Sequence, residues 1–333
     1  MRKAQNNNII LKVIAILLSL AILCIGFIIA SKLWEKAHSN AGESQSSTEI
    51  GSNGLPKKIT YDEKEYTLKK DIETFLVLGL DKTEEITADS YNNTLRADFL
   101  LLLVIDNKNQ AVNAIHINRD TMVQMDVLGV SGDIVASVNK QIALAHTYGN
   151  GKEVSCGNTA KALSRLLNGV KINHYVSVTM DAVPVFNDFV GGVELEILDD
   201  FSDIDKTLVK GETIRLNGEQ AFHYVRSRYG LEDSTNSTRM IRQRQYINAL
   251  YDIVSSKAQK DEKFISSAAL KMSEYTVSDC NTARLETLFK KLSGYKFGGI
   301  CEIDGENKKG EEYIEFYPNE DSIQKVLVDN FYE

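Results

Sequence analysis

Thr74–Leu80 (TFLVLGL) and Asp98–Asp106 (DFLLLLVID) are unbroken apolar runs of strand length, and their reading decides the fold. A strand with one wet face alternates apolar and polar residues. A continuous run signals a strand covered on both faces. Asn107–Gln110 supplies a turn, and Ala111–Asn118 (AVNAIHIN) reads as the returning strand of a hairpin. Outward from there, Val138–Tyr148 and Thr159–Leu167 carry helical spacing, the second stopped by Asn168-Gly169. Tyr175–Val178 is a short strand, Ala182–Val190 a helix closed by Gly191-Gly192, and Val193–Ile197 another strand. A long helix starts near Ser237 and runs to about Ser255, and two more helices are expected before the acidic C-terminus. Strands interleaved with helices predict an α/β domain, with a central mixed sheet flanked by helices.

Toward the N-terminus the chemistry changes. Val13–Ser31 holds 19 residues without a formal charge, within an apolar stretch that begins at Ile9. A bilayer core takes about 20 such residues as a helix. Arg2, Lys3 and Lys12 precede or open the span, which places the N-terminus in the cytoplasm and the rest outside. The expected organisation is a cytoplasmic tail over 1–8, one transmembrane anchor over 9–31, a Ser/Gly-rich stalk over 32–56 and an extracytoplasmic domain over 57–333. With the three basic residues around the span set aside from 38, 35 Lys and Arg face 46 Asp and Glu, a net charge of −11. Such a domain is not expected to bind nucleic acid through its general field, so any anion site must be built locally. Cys156, Cys280 and Cys301 lie outside the span; an odd number allows one bridge at most, with Cys280 and Cys301 the favoured pair.

Three segments concentrate Arg and Asp: Arg96-Ala97-Asp98 opening a strand, Arg119-Asp120-Thr121 closing its partner, and Arg226-Ser227-Arg228 ahead of Asn236–Arg244 (NSTRMIRQR). Residues two apart on a strand share a face, so Arg96 and Asp98 are expected to project together. If the two strands pair, Arg119 joins them at one edge. On the long helix Arg239, Gln243, Tyr246 and Leu250 fall on one stripe, with Arg242 to one side and Arg244 expected in solvent. The stripe is polar in its first turns and apolar afterwards, so a buried face runs out into a polar site at a helix N-terminus, where anions are favoured. The plainer alternative is a structural network of arginines with local aspartates. Guanidinium forks also suit phosphate oxygens. Asp81 and Asp98 could hold a divalent ion, since Mg²⁺ is commonly bound by one or two carboxylates plus phosphate oxygens. Arginines with a carboxylate-held ion form a site for a pyrophosphate. No Ser–His–Asp order is compelling, and no His/Cys cluster has zinc spacing; His116, His146 and His223 are expected to be structural.

LGLD at Leu78–Asp81, RAD at Arg96–Asp98, NRDT at Asn118–Thr121, VNKQIALAHTYG at Val138–Gly149, FVGGVELEI at Phe189–Ile197, and RSR followed by NSTRMIRQR form an ordered set. In order and spacing, over about Thr74 to Ala258, the set resembles the LytR–CpsA–Psr family of cell-envelope proteins. The resemblance implies a phosphotransferase that moves teichoic acid, capsule or a similar glycopolymer from an undecaprenyl-pyrophosphate carrier to peptidoglycan. It implies Mg²⁺ (or Mn²⁺) at Asp81 and Asp98. Arg96, Arg119, Arg226, Arg228, Arg239, Arg242 and Gln243 would then bind the pyrophosphate; Arg119, Asp98 and Arg239 carry the catalytic expectation. Thr238 departs from the family, which often has glycine before the arginine. An older description of the family as transcriptional attenuators fits poorly with a domain outside the membrane. A hydrolase of lipid pyrophosphates, or a non-catalytic binder of lipid-linked precursors, are the alternatives.

Overall fold

A computed structural model of the chain describes residues 49–82, 93–228, 231, 236–261, 263–281, 284, 287–288, 291–292, 294–311 and 313–333. The expected anchor and most of the stalk lie outside these residues. Among the described residues no helix is long and apolar enough to cross a membrane.

A small hairpin, β1 (Lys58–Tyr61) and β2 (Lys64–Thr67), precedes the two apolar strands that the sequence singles out, β3 (Ile72–Lys82) and β4 (Leu95–Asp106). Next come β5 (Ala111–Ile117), β6 (Met122–Leu128), β7 (Ile134–Gln141), a 3₁₀ turn (Ile142–Thr147), α1 (Glu153–Leu166) and β8 (His174–Thr179). They lead to α2 (Ala182–Phe189), β9 (Val193–Glu196), β10 (Thr213–Leu216), α3 (Gly218–Arg226) and α4 (Asn236–Lys260). The rest comprises α5 (Phe264–Met272), β11 (Thr276–Ser278), β12 (Lys296–Glu302), β13 (Gly305–Lys309), β14 (Ile314–Pro318) and α6 (Glu320–Phe331). Six strands form the central sheet in the order β11-β8-β3-β4-β5-β12. The β3–β4 and β4–β5 pairs are antiparallel, whereas β3–β8 and β5–β12 are parallel, so the sheet is mixed as expected.

The continuous apolar runs serve two cores. Phe75, Val77, Leu101 and Leu103 face α2 to α5, through Phe186, Tyr246, Leu250 and Phe264. Leu76, Leu78, Leu100 and Leu102 face α1 and α6, through Leu163, Leu166, Leu327 and Phe331. Burying such a side chain is worth roughly 1.5–3 kcal/mol, which is why a three-layer arrangement outcompetes any that leaves one face of these strands wet.

Two expectations need correction. Val138–Tyr148 is not a helix: its first part is β7, paired residue by residue with β6, and its second part is the 3₁₀ turn. Backbone hydrogen bonds from Ile142 to Thr121 and from Ala143 to Arg119 hold it there, against its helical spacing. Helices α5 and α6 follow α4, and the strands β11 to β14 lie between them. β13 is exposed along its whole length and β11 is three residues long, so neither leaves an apolar pattern to read. Cys156, Cys280 and Cys301 are all free thiols. Cys280 belongs to the core on one face of the sheet and Cys301 packs against the core on the other, which rules out a bridge between them.

Candidate functional site

The site stands at the end of the sheet where β3 finishes and β4 begins. Gly79 pairs with Phe99 but Leu80 pairs with Ala97, so Asp98 is the extra residue of a β-bulge. A bulge re-aims side chains that regular alternation would send elsewhere. Asp98 still meets Arg96, with Nε–Oδ1 at 3.6 Å, as the sequence leads one to expect. A methyl group on Gly79 would come within 2.9 Å of Phe99 Cβ, so the backbone here is as close as glycine permits.

Past β5, Asn118–Thr121 closes into a turn: the Thr121 amide and hydroxyl both donate to the Asn118 carbonyl, and the Asp120 amide donates to Asn118 Oδ1. The turn presents Arg119 to Asp98 in direct contact. Asp120, fully buried, accepts from Arg228 Nη1 at 2.7 Å and lies 3.3 Å from Arg119 Nε. Arg228 arrives from α3, whose start is fixed by a reciprocal capping box between Asn217 and Gln220. At the end of the same helix Arg226 Nε donates to Asp81 Oδ2 at 2.6 Å, with nearly half of its side chain in solvent.

From α4, Arg239 donates to Asn236 Oδ1 through Nε (2.9 Å) and Nη2 (2.5 Å), and to Asp98 Oδ2 through Nη1 (3.4 Å). Asn236 in turn donates to Asn118 Oδ1 at 3.0 Å, tying the helix start to the turn after β5. The stripe predicted for α4 is present: Arg239, Gln243, Tyr246 and Leu250 are all buried. Burial alone favours the neutral acid of Asp98, but Arg119, Arg239 and Arg96 outweigh it and hold the carboxyl below its ordinary range. Burial pushes Arg239 down to about 10, with Asp98 opposing and Arg119 adding to the fall. A carboxylate held this low is a weak base, so Asp98 suits the ordering of guanidinium groups better than proton abstraction.

Thus Arg96, Arg119, Arg228 and Arg239 converge on Asp98 and Asp120, and Arg226 pairs with Asp81, which lies opposite Arg96 in the β3–β4 register. Among the described residues of the cluster, guanidinium groups outnumber carboxylates five to three. Arg242 is not brought to the cluster. It is fully buried beneath α3, donating to the carbonyls of Tyr224 (2.6 Å) and Ser227 (2.5 Å), 2.9 Å from Asp199, with Phe201 and Tyr224 rings beside it. Its expected contact with phosphate is therefore withdrawn: it clamps the segment that carries Arg226 and Arg228. Arg244 is not solvated surface either, since it bridges Glu302 (2.5 Å) and His116 Nδ1 (3.4 Å). His116 is a buried core histidine pushed down to about 3 by burial and nearby arginines, and His146 one pushed to about 4 by burial. Asp120 and Asn236 are site residues that the candidate set lacks. Asn118-Arg-Asp-Thr121 contained the signal for the first; the second is visible only through Arg239.

Beside the cluster an apolar cavity of about 140 Å³ opens between the sheet and α2 and α4. Val77, Gly79 and Phe99 form its sheet side, Val183, Ile247 and Leu250 its helix side, and Gln243 stands where it meets the arginines. Gln243 Nε2 donates to the Val225 carbonyl at 3.1 Å. Polar seat and apolar cavity thus share one helix stripe.

The chain is similar to known proteins in sequence and in fold. TagV of Bacillus subtilis (strain 168), a polyisoprenyl-teichoic acid–peptidoglycan teichoic acid transferase, is 30% identical over 254 residues, covering 74% of this chain and 59% of TagV. TagU of Halalkalibacterium halodurans, of the same description, is 26% identical over 219 residues, 66% of this chain and 64% of TagU. The matched regions thus span less than two thirds of either relative. The crystal structure of B. subtilis TagV superposes with a TM-score of 0.58 at 26% identity, covering 79% of this chain and 98% of that one. The LytR_cpsA_psr family profile matches residues 31–329, the whole of the sheet, the arginine cluster and the cavity, and the chain belongs to that family.

Proposed function

We propose that the protein transfers a glycopolymer from an undecaprenyl-pyrophosphate carrier onto peptidoglycan. One observation carries this reading: a cluster in which, among the described residues, five arginines face three aspartates adjoins an apolar cavity. A lipid-linked pyrophosphate is an amphiphile of matching form, with an anionic head and an apolar tail. The names of TagV and TagU, teichoic acid transferases acting from a polyisoprenyl donor, support the same class of reaction and a teichoic acid as polymer. The 9–31 stretch would anchor the enzyme to the membrane that holds the donor, with its domain outside the cell.

In the proposed reaction a sugar hydroxyl of peptidoglycan attacks the phosphorus proximal to the glycopolymer. A new P–O bond forms, the bond to the bridging oxygen breaks, polyprenyl phosphate leaves and the hydroxyl proton passes to solvent. Arg119, Arg228 and Arg239, ordered in advance by Asp98 and Asp120, bind phosphoryl oxygens, and such prearranged donors stabilise charge that grows in the transition state. Arg226, half-exposed beside Asp81, serves the open side of the site. The residues fit a Mg²⁺ ion: Asp81 and Asp98 offer hard oxygen donors, and the buried Asp98 Oδ1, 3.6 Å from Arg96 Nε, accepts no hydrogen bond from the described residues. Bound there, the ion would neutralise charge on phosphoryl oxygens.

The test supplies full-length protein with a polyprenyl-pyrophosphate-linked glycopolymer and an acceptor glycan, with Mg²⁺ or with chelator. Polymer covalently joined to the acceptor, with release of polyprenyl phosphate, is expected only with Mg²⁺. Release of polymer to water alone, or binding without turnover, would overturn the reading.

A further inference from the structure

At the opposite end of the sheet a second group of donors converges. His174 opens β8, and because Ser278 of β11 pairs with Val176, the turn leaving β11 sets Asp279 and Cys280 beside it. One ligand atom from each of His174, Asp279 and Cys280 lies within 4.8 Å of the others. Asp279 is fixed on both oxygens, one 3.1 Å from His174 Nδ1 and the other accepting from the Tyr175 amide at 3.0 Å. On the far side of the ring, Nε2 lies 3.7 Å from Glu73 Oε1. Arg284 places a guanidinium nitrogen 2.6 Å from that Nε2 and 3.4 Å from Glu73, with more than half of its side chain in solvent. A largely exposed positive charge thus already sits among these donors.

We propose that His174, Asp279 and Cys280 bind a divalent transition ion of the zinc class, through His174 Nδ1, an Asp279 carboxylate oxygen and the Cys280 thiolate. Imidazole, thiolate and carboxylate are the ligands that zinc takes, and a sulfur donor selects against Mg²⁺. Tetrahedral ligands stand about 3.5 Å apart, so closure from the present spacing needs side-chain adjustment of roughly 1 Å. Glu73 is placed as the outer carboxylate that a metal-bound histidine commonly engages through its other nitrogen. The protons balance. With Arg284 on Nε2 the ring proton resides on Nδ1 and points to Asp279. The ion takes Nδ1, the ring proton moves to Nε2 and faces Glu73, and Arg284 remains with Glu73. The Cys280 thiol, which burial and Asp279 keep protonated otherwise, loses its proton to solvent. Partial exposure of His174 and Asp279 gives the ion a path in and leaves the fourth position to water. The bound ion would bolt the edge strand β11 to β8. Phe75 pairs with His174 and Asp81 lies six residues further along β3, so the site stands about 20 Å from the arginine cluster.

Full-length protein, with thiols reduced and metals stripped by chelator, is titrated with Zn²⁺ against a chromophoric competitor and with Co²⁺ by absorbance. Expected are one Zn²⁺ per chain, release of one proton, and a near-ultraviolet thiolate-to-Co²⁺ band. Cys280→Ser abolishes the band and weakens Zn²⁺ at least about tenfold, whereas Cys156→Ser and Cys301→Ser retain it. Arg284→Ala, a surface change that removes the competing cation, tightens Zn²⁺ binding. The proposal is overturned by stoichiometric Co²⁺ without a thiolate band, or by a band that survives Cys280→Ser. Should Cys280→Ser fail to fold, Arg284→Ala decides, and an affinity unchanged or weakened in that variant overturns the site.

Discussion

Replacing Arg239 with methionine separates a ligand-binding arginine from a structural one. Arg239 is almost wholly buried, and burial pushes its guanidinium down to about 10 even with Asp98 alongside. At about 1.4 kcal/mol per pK unit, holding that charge in the folded protein costs on the order of 3 kcal/mol. Methionine removes this penalty and keeps most of the volume. It also takes donors from Asn236 Oδ1 and Asp98, a loss of about 1–3 kcal/mol. Asp98 keeps Arg119 and Arg96. The two effects nearly cancel, so Tm should move by no more than about 5 °C for a domain of this size. Turnover should fall by about 10²–10³, the loss typical when one prearranged donor to transition-state charge is removed. Tm by calorimetry and transfer rate with a lipid-linked donor are measured on the same preparation. A fall in Tm beyond about 10 °C, with normal turnover in the fraction that stays folded, would refute the argument and make Arg239 part of the scaffold.

Arg242→Leu should do the reverse, destabilising by about 3–5 kcal/mol because Asp199 and the Tyr224 and Ser227 carbonyls lose a buried partner; a urea titration with unchanged midpoint would count against the clamp. His116 and His146 are buried neutral, with folded pKa values of about 3 and about 4. Lowered values mean that the unfolded chain binds more protons below about pH 6.5, so stability falls as pH drops through that window. Each histidine should remove about 2 kcal/mol between pH 7 and pH 5. His116→Phe should reduce the pH dependence of unfolding by that amount, and an identical dependence in the variant would exclude His116 as its source. Ile247→Trp, on the helix wall of the cavity, should preserve Tm and depress transfer from long-tailed donors more than from short-tailed ones; equal effects on both would show that the cavity does not receive the tail.

The chain's own order made much of this legible. TFLVLGL and DFLLLLVID could be buried only as inner strands, so a two-sided sheet followed from hydrophobicity alone. The stripe from Arg239 to Leu250 followed from helical period, and the meeting of Asp98 with Arg119 from the hairpin between them. Each is a local rule, acting over a few residues or one turn of chain.

Tertiary structure decided what depends on partners distant in sequence. The bulge at Asp98 came from the pairing of β3 with β4, and pairing with β6 made a strand of β7 where the apolar spacing suited a helix. Helical period placed Arg242 beside Arg239, yet the carbonyls at the end of α3 claimed one guanidinium and Asp98 the other. Likewise His174 stands more than a hundred residues from Asp279 and Cys280, so no spacing in the sequence announces the cluster that β8 and β11 assemble. Hydrophobic pattern fixes which face of an element is buried. Which charged groups then meet depends on register and on competition for the same few buried acceptors, and those are settled only when the sheet and helices close on one another.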